Sequence, residues 1–65
     1  MIAVFTRDRR EFEQLGLFPK EMFVHVTCLK NSIGIRFTGI ITTPLWWNWG
    51  QDEKREAYDY IKRFI

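Results

Sequence analysis

The sequence predicts an α+β fold: a small two-layer β-α-β-β-α domain, in which two helices cover one face of a three-stranded sheet. Three observations predict it. A short apolar run, MIAVF, opens the chain; two runs of alternating polarity occupy the middle, and an amphipathic stretch covers residues 51–65. The 65 residues suit one compact domain, residues 1–65, near the lower size limit for a chain that folds alone.

The first two elements are a buried strand and a short helix. MIAVF is a continuous apolar run, which predicts a strand buried on both faces. Asp8 and Glu11 have the spacing of a helix N-cap and its N3 acid. Gly16 lies where a left-handed C-terminal cap is expected, and Pro19 prevents the helix from resuming. These residues predict a helix of about two turns.

The middle of the chain predicts a β-hairpin. In MFVHVTCL, residues 22–29, and in IGIRFTGII, residues 33–41, the side chains alternate in the way that is typical of strands. A short polar connection joins the two runs, as in a hairpin. Because the hairpin strands would pair with each other, the first strand would lie at an edge of the sheet. Residues 1–6 could then pair with a second copy and form a homodimer.

The last element is an amphipathic helix over residues 51–65. Ala57, Tyr60, Ile61 and Phe64 follow the i, i+3, i+4, i+7 spacing of a buried helix face. Acidic residues in the first turn and basic residues in the last turn complement the helix dipole. Asn48 offers the N-cap.

Composition and charge exclude several classes of protein. The net charge of +2 is far below that of a dedicated nucleic-acid arm. The single cysteine, Cys28, rules out an internal disulfide, which small secreted domains normally contain. The N-terminus lacks the order of charged and apolar residues of a signal peptide, and no apolar stretch approaches the roughly 20 residues of a membrane span. We therefore expect a cytoplasmic protein without membrane association.

The residue types that catalysis or metal binding requires do not gather in the sequence. His25 and Cys28 are three positions apart on a predicted strand, so their side chains should point to opposite faces, and zinc would need further ligands. The four glycines are scattered, which excludes a glycine-rich phosphate loop. We expect no enzymatic activity, no metal and no cofactor.

The stretch TTPLWWNWG, residues 42–50, carries the clearest indication of function. Its three tryptophans lie in a connection between a strand and a helix, and connections run over the surface. A small core needs at least one ring, but adjacent side chains diverge, so at least one other ring should be exposed. An exposed tryptophan beside polar residues is typical of an interface anchor. The predicted partner-binding residues are Trp46, Trp47 and Trp49, with Phe23, Arg36 and His25 on the open face of the sheet.

Two functions fit these features. The first is a small non-enzymatic protein-binding module, an inhibitor or adaptor that docks an aromatic patch on a larger protein. Phage-encoded inhibitors have a similar chain length, which is an analogy of size alone. The alternative is a protein that binds single-stranded nucleic acid on the open sheet face, with rings stacked on bases and cations on phosphates. The cations of that alternative are Arg7, Arg9, Arg10, Lys30 and Arg36. The weak net charge, and the acids interleaved among the first three arginines, favour the protein-binding module.

Overall fold

The computed structural model describes residues 1–47 and 51–65. Its helices and strands, in chain order, are β1 (Ile2–Phe5), α1 (Arg9–Gln14), β2 (Phe23–His25), β3 (Gly39–Thr42) and α2 (Gln51–Lys62). The three strands form one sheet in the order β2-β1-β3. The predicted class, a small α+β domain with three strands and two helices in the order β-α-β-β-α, is confirmed.

Strand β1 is the centre of the sheet and pairs in parallel with a strand on each side. Val4 lies beside His25 of β2 and beside Ile41 of β3. The predicted hairpin is wrong, because β2 and β3 lie on opposite sides of β1 and do not pair with each other. The predicted edge position of residues 1–6 is wrong for the same reason. A homodimer through that strand would first have to break one of its two existing pairings.

The connection between β2 and β3 explains why no hairpin forms. The side-chain oxygen Oδ1 of Asn31 accepts hydrogen bonds from the backbone N–H groups of Thr27 at 2.9 Å and Cys28 at 3.3 Å. These bonds hold the connection in a 3₁₀ turn instead of a hairpin turn. Strand β2 therefore ends at His25, and β3 begins only at Gly39. Much of the alternating sequence lies outside the sheet.

The main core lies between the sheet and α2. Its buried apolar residues are Ala3, Phe5, Val26, Phe37, Ala57 and Ile61. Ala57 and Ile61 confirm the predicted buried face of α2, since residues four apart lie on the same side of a helix. Phe64, one turn further along, is 70% exposed. The prediction that Phe64 joins the core is wrong, because α2 ends at Lys62 and the buried stripe ends at Ile61.

Helix α1 contacts the other face of the sheet. Successive side chains of a strand point to opposite faces, so Val4 and its neighbour His25 face away from α2. Phe12 of α1 stacks on His25 with the ring centroids 4.8 Å apart. The two helices therefore contact opposite faces of the sheet, which corrects the predicted placement of both on one face. Parallel sheets are normally covered on both faces, whereas the predicted antiparallel hairpin could have left one face exposed to water.

Helix α1 begins and ends as its sequence predicts. Oδ1 of Asp8 accepts a hydrogen bond from the backbone N–H of Glu11 at 2.9 Å, which is the predicted N-cap bond. The Glu11 carboxylate reaches back to the N–H of Arg7 at 2.8 Å, one residue before the cap. After the last turn, Gly16 has a φ of 60°, the left-handed conformation expected of a C-terminal cap.

A buried lysine joins α2 to the end of β1. Lys54 is only 4% exposed, and its Nζ donates hydrogen bonds to the carbonyl oxygens of Thr6 at 2.8 Å, Arg7 at 2.7 Å and Trp46 at 3.2 Å. An ammonium group has three hydrogens, and this group uses all of them. Burial lowers the pKa of Lys54, because the charged form loses contact with water.

Candidate functional site

The aromatic turn, residues 44–47, follows β3 and contains the two described tryptophans, whose rings differ in burial. The Trp46 ring packs against Phe5 and Tyr58, with centroid distances of 5.3 and 5.1 Å. The Trp47 ring meets Trp46 edge-on at 6.3 Å and is 40% exposed. One ring therefore extends the core and its neighbour reaches the surface. This agrees with the expectation of one ring on the core and another at the surface, although the two rings stay in edge-on contact.

One residue of the aromatic turn, Leu45, has an uncommon backbone conformation. Its φ is 63°, in the left-handed region that costs a residue with a β-carbon roughly 1–2 kcal/mol. The Leu45 side chain is 48% exposed, so its own burial does little to offset that cost. Hydrogen bonds on both sides of Trp46 fix the turn: its N–H donates to the Thr43 carbonyl at 3.2 Å, and its carbonyl accepts from Lys54.

The other predicted partner-binding residues do not join the aromatic turn. Phe23 and His25 are half-buried and line a groove of about 550 Å³ together with α1. The open sheet face predicted for them is therefore wrong, because α1 contacts that face. Arg36 is exposed, but it precedes β3 and so lies towards the amino ends of the strands. Trp49 and the predicted N-cap Asn48 lie outside the described residues.

Two of the arginines that follow β1, Arg7 and Arg9, contact acidic side chains. Arg7 Nε lies 3.3 Å from Asp8 Oδ2, and Arg9 Nε lies 3.4 Å from Glu13 Oε1. These pairs agree with a solvated helix surface of mixed charge. They also lie beyond the carboxyl end of β1, whereas Arg36 lies towards the amino ends. The cations of the nucleic-acid hypothesis are thus divided between the two ends of the sheet.

Polar side chains at the carboxyl ends of the strands bond to one another. Thr6 Oγ1 donates its hydrogen to the Asp8 carbonyl at 2.7 Å, so the 2.9 Å contact with His25 Nε2 is a bond that the imidazole donates. Thr43 Oγ1 donates to Glu11 Oε1 at 2.6 Å. Ligands of open parallel sheets bind at this end. In this protein the groups there join the ends of β1, β2 and β3 to one another or to α1. Sequence reasoning missed them because a threonine at a strand end belongs to no motif.

The ionisable groups of this network have shifted pKa values. The hydrogen bond from Thr43 lowers the pKa of Glu11, and the bond from the Glu11 backbone N–H lowers that of Asp8. Burial, followed by the charges of nearby cations, lowers the pKa of His25. At neutral pH the network therefore contains two carboxylates and a neutral imidazole.

No protein-family model, curated protein or solved structure matched the chain when each was compared with it. Among residues 1–47 and 51–65, no three histidine, cysteine or carboxylate side chains come together as a metal site would require. None of the described helices is both long enough and apolar enough to cross a membrane. The function is therefore inferred from the surfaces and contacts of this chain alone.

The two described tryptophans should differ in their effect on stability. We expect Trp46→Ala to lower the free energy of unfolding by about 3 kcal/mol, since the ring packs on the core. We expect Trp47→Ala to lower it by about 1 kcal/mol or less, the value of one edge-on aromatic contact. Urea denaturation followed by far-UV circular dichroism measures both. Equal losses for the two variants would contradict this division of the rings.

The only histidine in the chain provides a test of the carboxyl-end network. We expect an NMR titration of the His25 ring protons to give a pKa below the usual 6.5. The unfolded chain then takes up a proton at higher pH than the folded chain, so stability should fall as the pH drops from about 6.5 towards the folded pKa. His25→Gln should remove this step. A measured pKa at or above 6.5 would contradict the described surroundings of the ring.

Proposed function

We propose that this chain is a non-enzymatic protein-binding module that docks on a larger protein through the aromatic turn. Trp47 supplies the anchor ring, and the exposed Leu45 side chain lies two residues before it. Within this class we favour an inhibitor or adaptor, of the kind that phages encode in chains of this size. We also favour a cytoplasmic location, where the free thiol of Cys28 would stay reduced.

The observation that carries the proposal is the contrast between the two adjacent tryptophans. Trp46 is fixed by its ring contacts and by bonds to both of its backbone groups. That fixed neighbour presents the Trp47 ring to solvent in a defined direction, so little conformational freedom is lost when a partner covers it. Tryptophans that become buried at the centre of an interface are among the residues that contribute most to binding.

The backbone of Leu45 gives independent support. Left-handed residues other than glycine persist only where the surrounding structure imposes them, and they are concentrated at binding sites. Leu45 combines this backbone conformation with an apolar side chain that is 48% exposed to water. That arrangement lowers the stability of the free chain. A partner that covers Leu45 together with Trp47 would bury both apolar side chains, and that burial would favour binding.

The polar side chains at the carboxyl ends of the strands bond within the protein, and this supports the non-enzymatic part of the proposal. Thr43 and Glu11 bond to each other, and His25 donates to Thr6, at the end of the sheet where catalytic groups of parallel folds are usually found. Lys54 is fully occupied by three carbonyl oxygens. These groups serve as internal ties, which leaves the apolar surface as the feature best suited to recognition.

The experiment is a pull-down from a lysate of the source cells with the tagged chain, washed at high salt, with and without nuclease. We expect the wild-type chain to retain one protein in stoichiometric amount after both the salt wash and the nuclease. The control is Met22→Ala, which should retain the same protein, because Met22 lies outside the turn and has an exposure of 48%, similar to that of Trp47. With Trp47→Ala, retention should fall about tenfold, as expected for an interface anchor.

Two results would contradict the proposal. Full retention of the same protein by a folded Trp47→Ala variant would show that the aromatic turn is not the anchor. Loss of all bound material on nuclease treatment, with a steep decrease as salt rises, would favour nucleic-acid binding instead. An interface anchored by aromatic contacts should persist at high salt, because such contacts do not weaken as charge pairs do.

A further inference from the structure

A second exposed apolar surface lies at the opposite end of the strands from the aromatic turn. The segment before β3 and the last turn of α2 enclose a groove of about 800 Å³, the amino-end groove. Its apolar lining residues are Ile35, Phe37, Tyr60, Ile61, Phe64 and Ile65. Phe37 and Ile61 are buried and form its floor, whereas Phe64 and Ile65 on its wall are 70% and 56% exposed.

The amino-end groove leaves several large apolar side chains in water. Small domains bury a modest share of their surface, so each large apolar side chain outside the core adds no burial to a fold that has little of it. Ile33, which lies next to the groove in sequence, is also 60% exposed. Apolar side chains that gather in one place, instead of being scattered singly, mark sites of interaction.

The charges around the groove have one sign. The two segments that line it, residues 34–38 and 60–65, contain three basic residues and no acidic one. These are Arg36, Lys62 and Arg63; the Lys62 ammonium lies over the Tyr58 ring, 5.5 Å from its centroid. Arg36 lines the groove directly, and its side chain is exposed. A partner that fills the groove would therefore bring negative charge to its rim.

We propose that the amino-end groove binds an acidic amphipathic helix of a partner protein. Such a helix inserts apolar side chains at the i, i+3, i+4 and i+7 positions into an apolar groove. Its carboxylates would lie beside Arg36, the charged residue that lines the groove. The site shares no residue with the aromatic turn, so it stands or falls independently of the function proposed above.

Two other occupants match the chemistry less well. A symmetric contact with a second copy would bring the same basic residues of both chains together, and like charges across an interface oppose association. An anionic lipid surface matches the charge, but a flat bilayer would touch Phe64 and Ile65 without reaching the buried floor at Phe37 and Ile61. An acidic amphipathic helix matches both features, since its apolar side chains can reach the floor while its carboxylates meet Arg36.

The test uses two labelled peptides of about 18 residues, or five helical turns. Both carry leucine at the i, i+3, i+4, i+7 spacing; one has glutamate and the other lysine at the remaining surface positions. By fluorescence anisotropy, the glutamate peptide should bind the wild-type chain about tenfold more tightly than the lysine peptide. Phe64→Ala should weaken that binding about tenfold, and Arg36→Glu should remove the preference for glutamate.

Matched variants separate the groove from the rest of the surface. Met22→Ala and Trp47→Ala remove exposed apolar side chains outside the groove, so both should bind the glutamate peptide as the wild type does. Circular dichroism of Phe64→Ala should match the wild-type spectrum, since the ring is largely exposed. An equal effect of Trp47→Ala and Phe64→Ala would overturn the assignment to the groove.

Several other results would overturn the proposal. Failure of the glutamate peptide to bind, or equal binding of both peptides, would contradict the predicted charge of the partner. A doubled mass in light scattering that Phe64→Ala abolishes would assign the groove to a second copy. Phe64-dependent binding to vesicles of phosphatidylcholine and phosphatidylserine, without peptide binding, would assign it to a lipid surface.

Discussion

The ammonium group of Lys54 is the interaction on which the arrangement of this small fold depends. It contacts the carbonyl oxygens of Thr6, Arg7 and Trp46 at 2.7–3.2 Å, and so joins the end of β1, the first half of α2 and the aromatic turn. Removing a charge from water is costly, and only complete hydrogen bonding makes the burial tolerable. The same contact fixes Trp46 against the core, and this position leaves the next ring, Trp47, at the surface.

Much of the fold could be predicted from local sequence, but the pairing of the strands could not. The apolar run at β1 predicts burial on both faces, which a central parallel strand has, and the Asp8 cap and the Ala57–Ile61 stripe predict the two helices. The alternation on either side of Asn31 predicts a hairpin equally well. The outcome depended on the Asn31 side chain, which bonds to backbone N–H groups before it and holds a 3₁₀ turn. Nothing in the pattern distinguishes the two results.

The exposure of a tryptophan in the connection after β3 could be predicted from the sequence. The features of the surface that depend on tertiary contacts could not. A small core needs aromatic area and a connection runs over the surface, so one ring packed on the core and one exposed ring are expected from the sequence. Lys54 lies in a charged helix segment and looks like any solvated lysine; its burial arises only because α2 crosses the end of β1. Phe64 fits the apolar stripe of α2, yet the helix ends at Lys62 and the exposed Phe64 ring lines the amino-end groove.

The role of Lys54 is tested most directly by comparing the free energies of unfolding of Lys54→Met and Lys62→Met. Urea denaturation followed by circular dichroism measures both. Both variants replace a lysine on α2 with an apolar chain of similar length. We predict that Lys54→Met loses at least about 2 kcal/mol or does not fold cooperatively, because three carbonyl oxygens lose their donor. Lys62→Met removes an exposed charge that lies 5.5 Å from the Tyr58 ring centroid, and it should lose less than about 1 kcal/mol, the value of an exposed cation–π pair. A Lys54→Met chain as stable as the wild type would contradict the central role of this lysine.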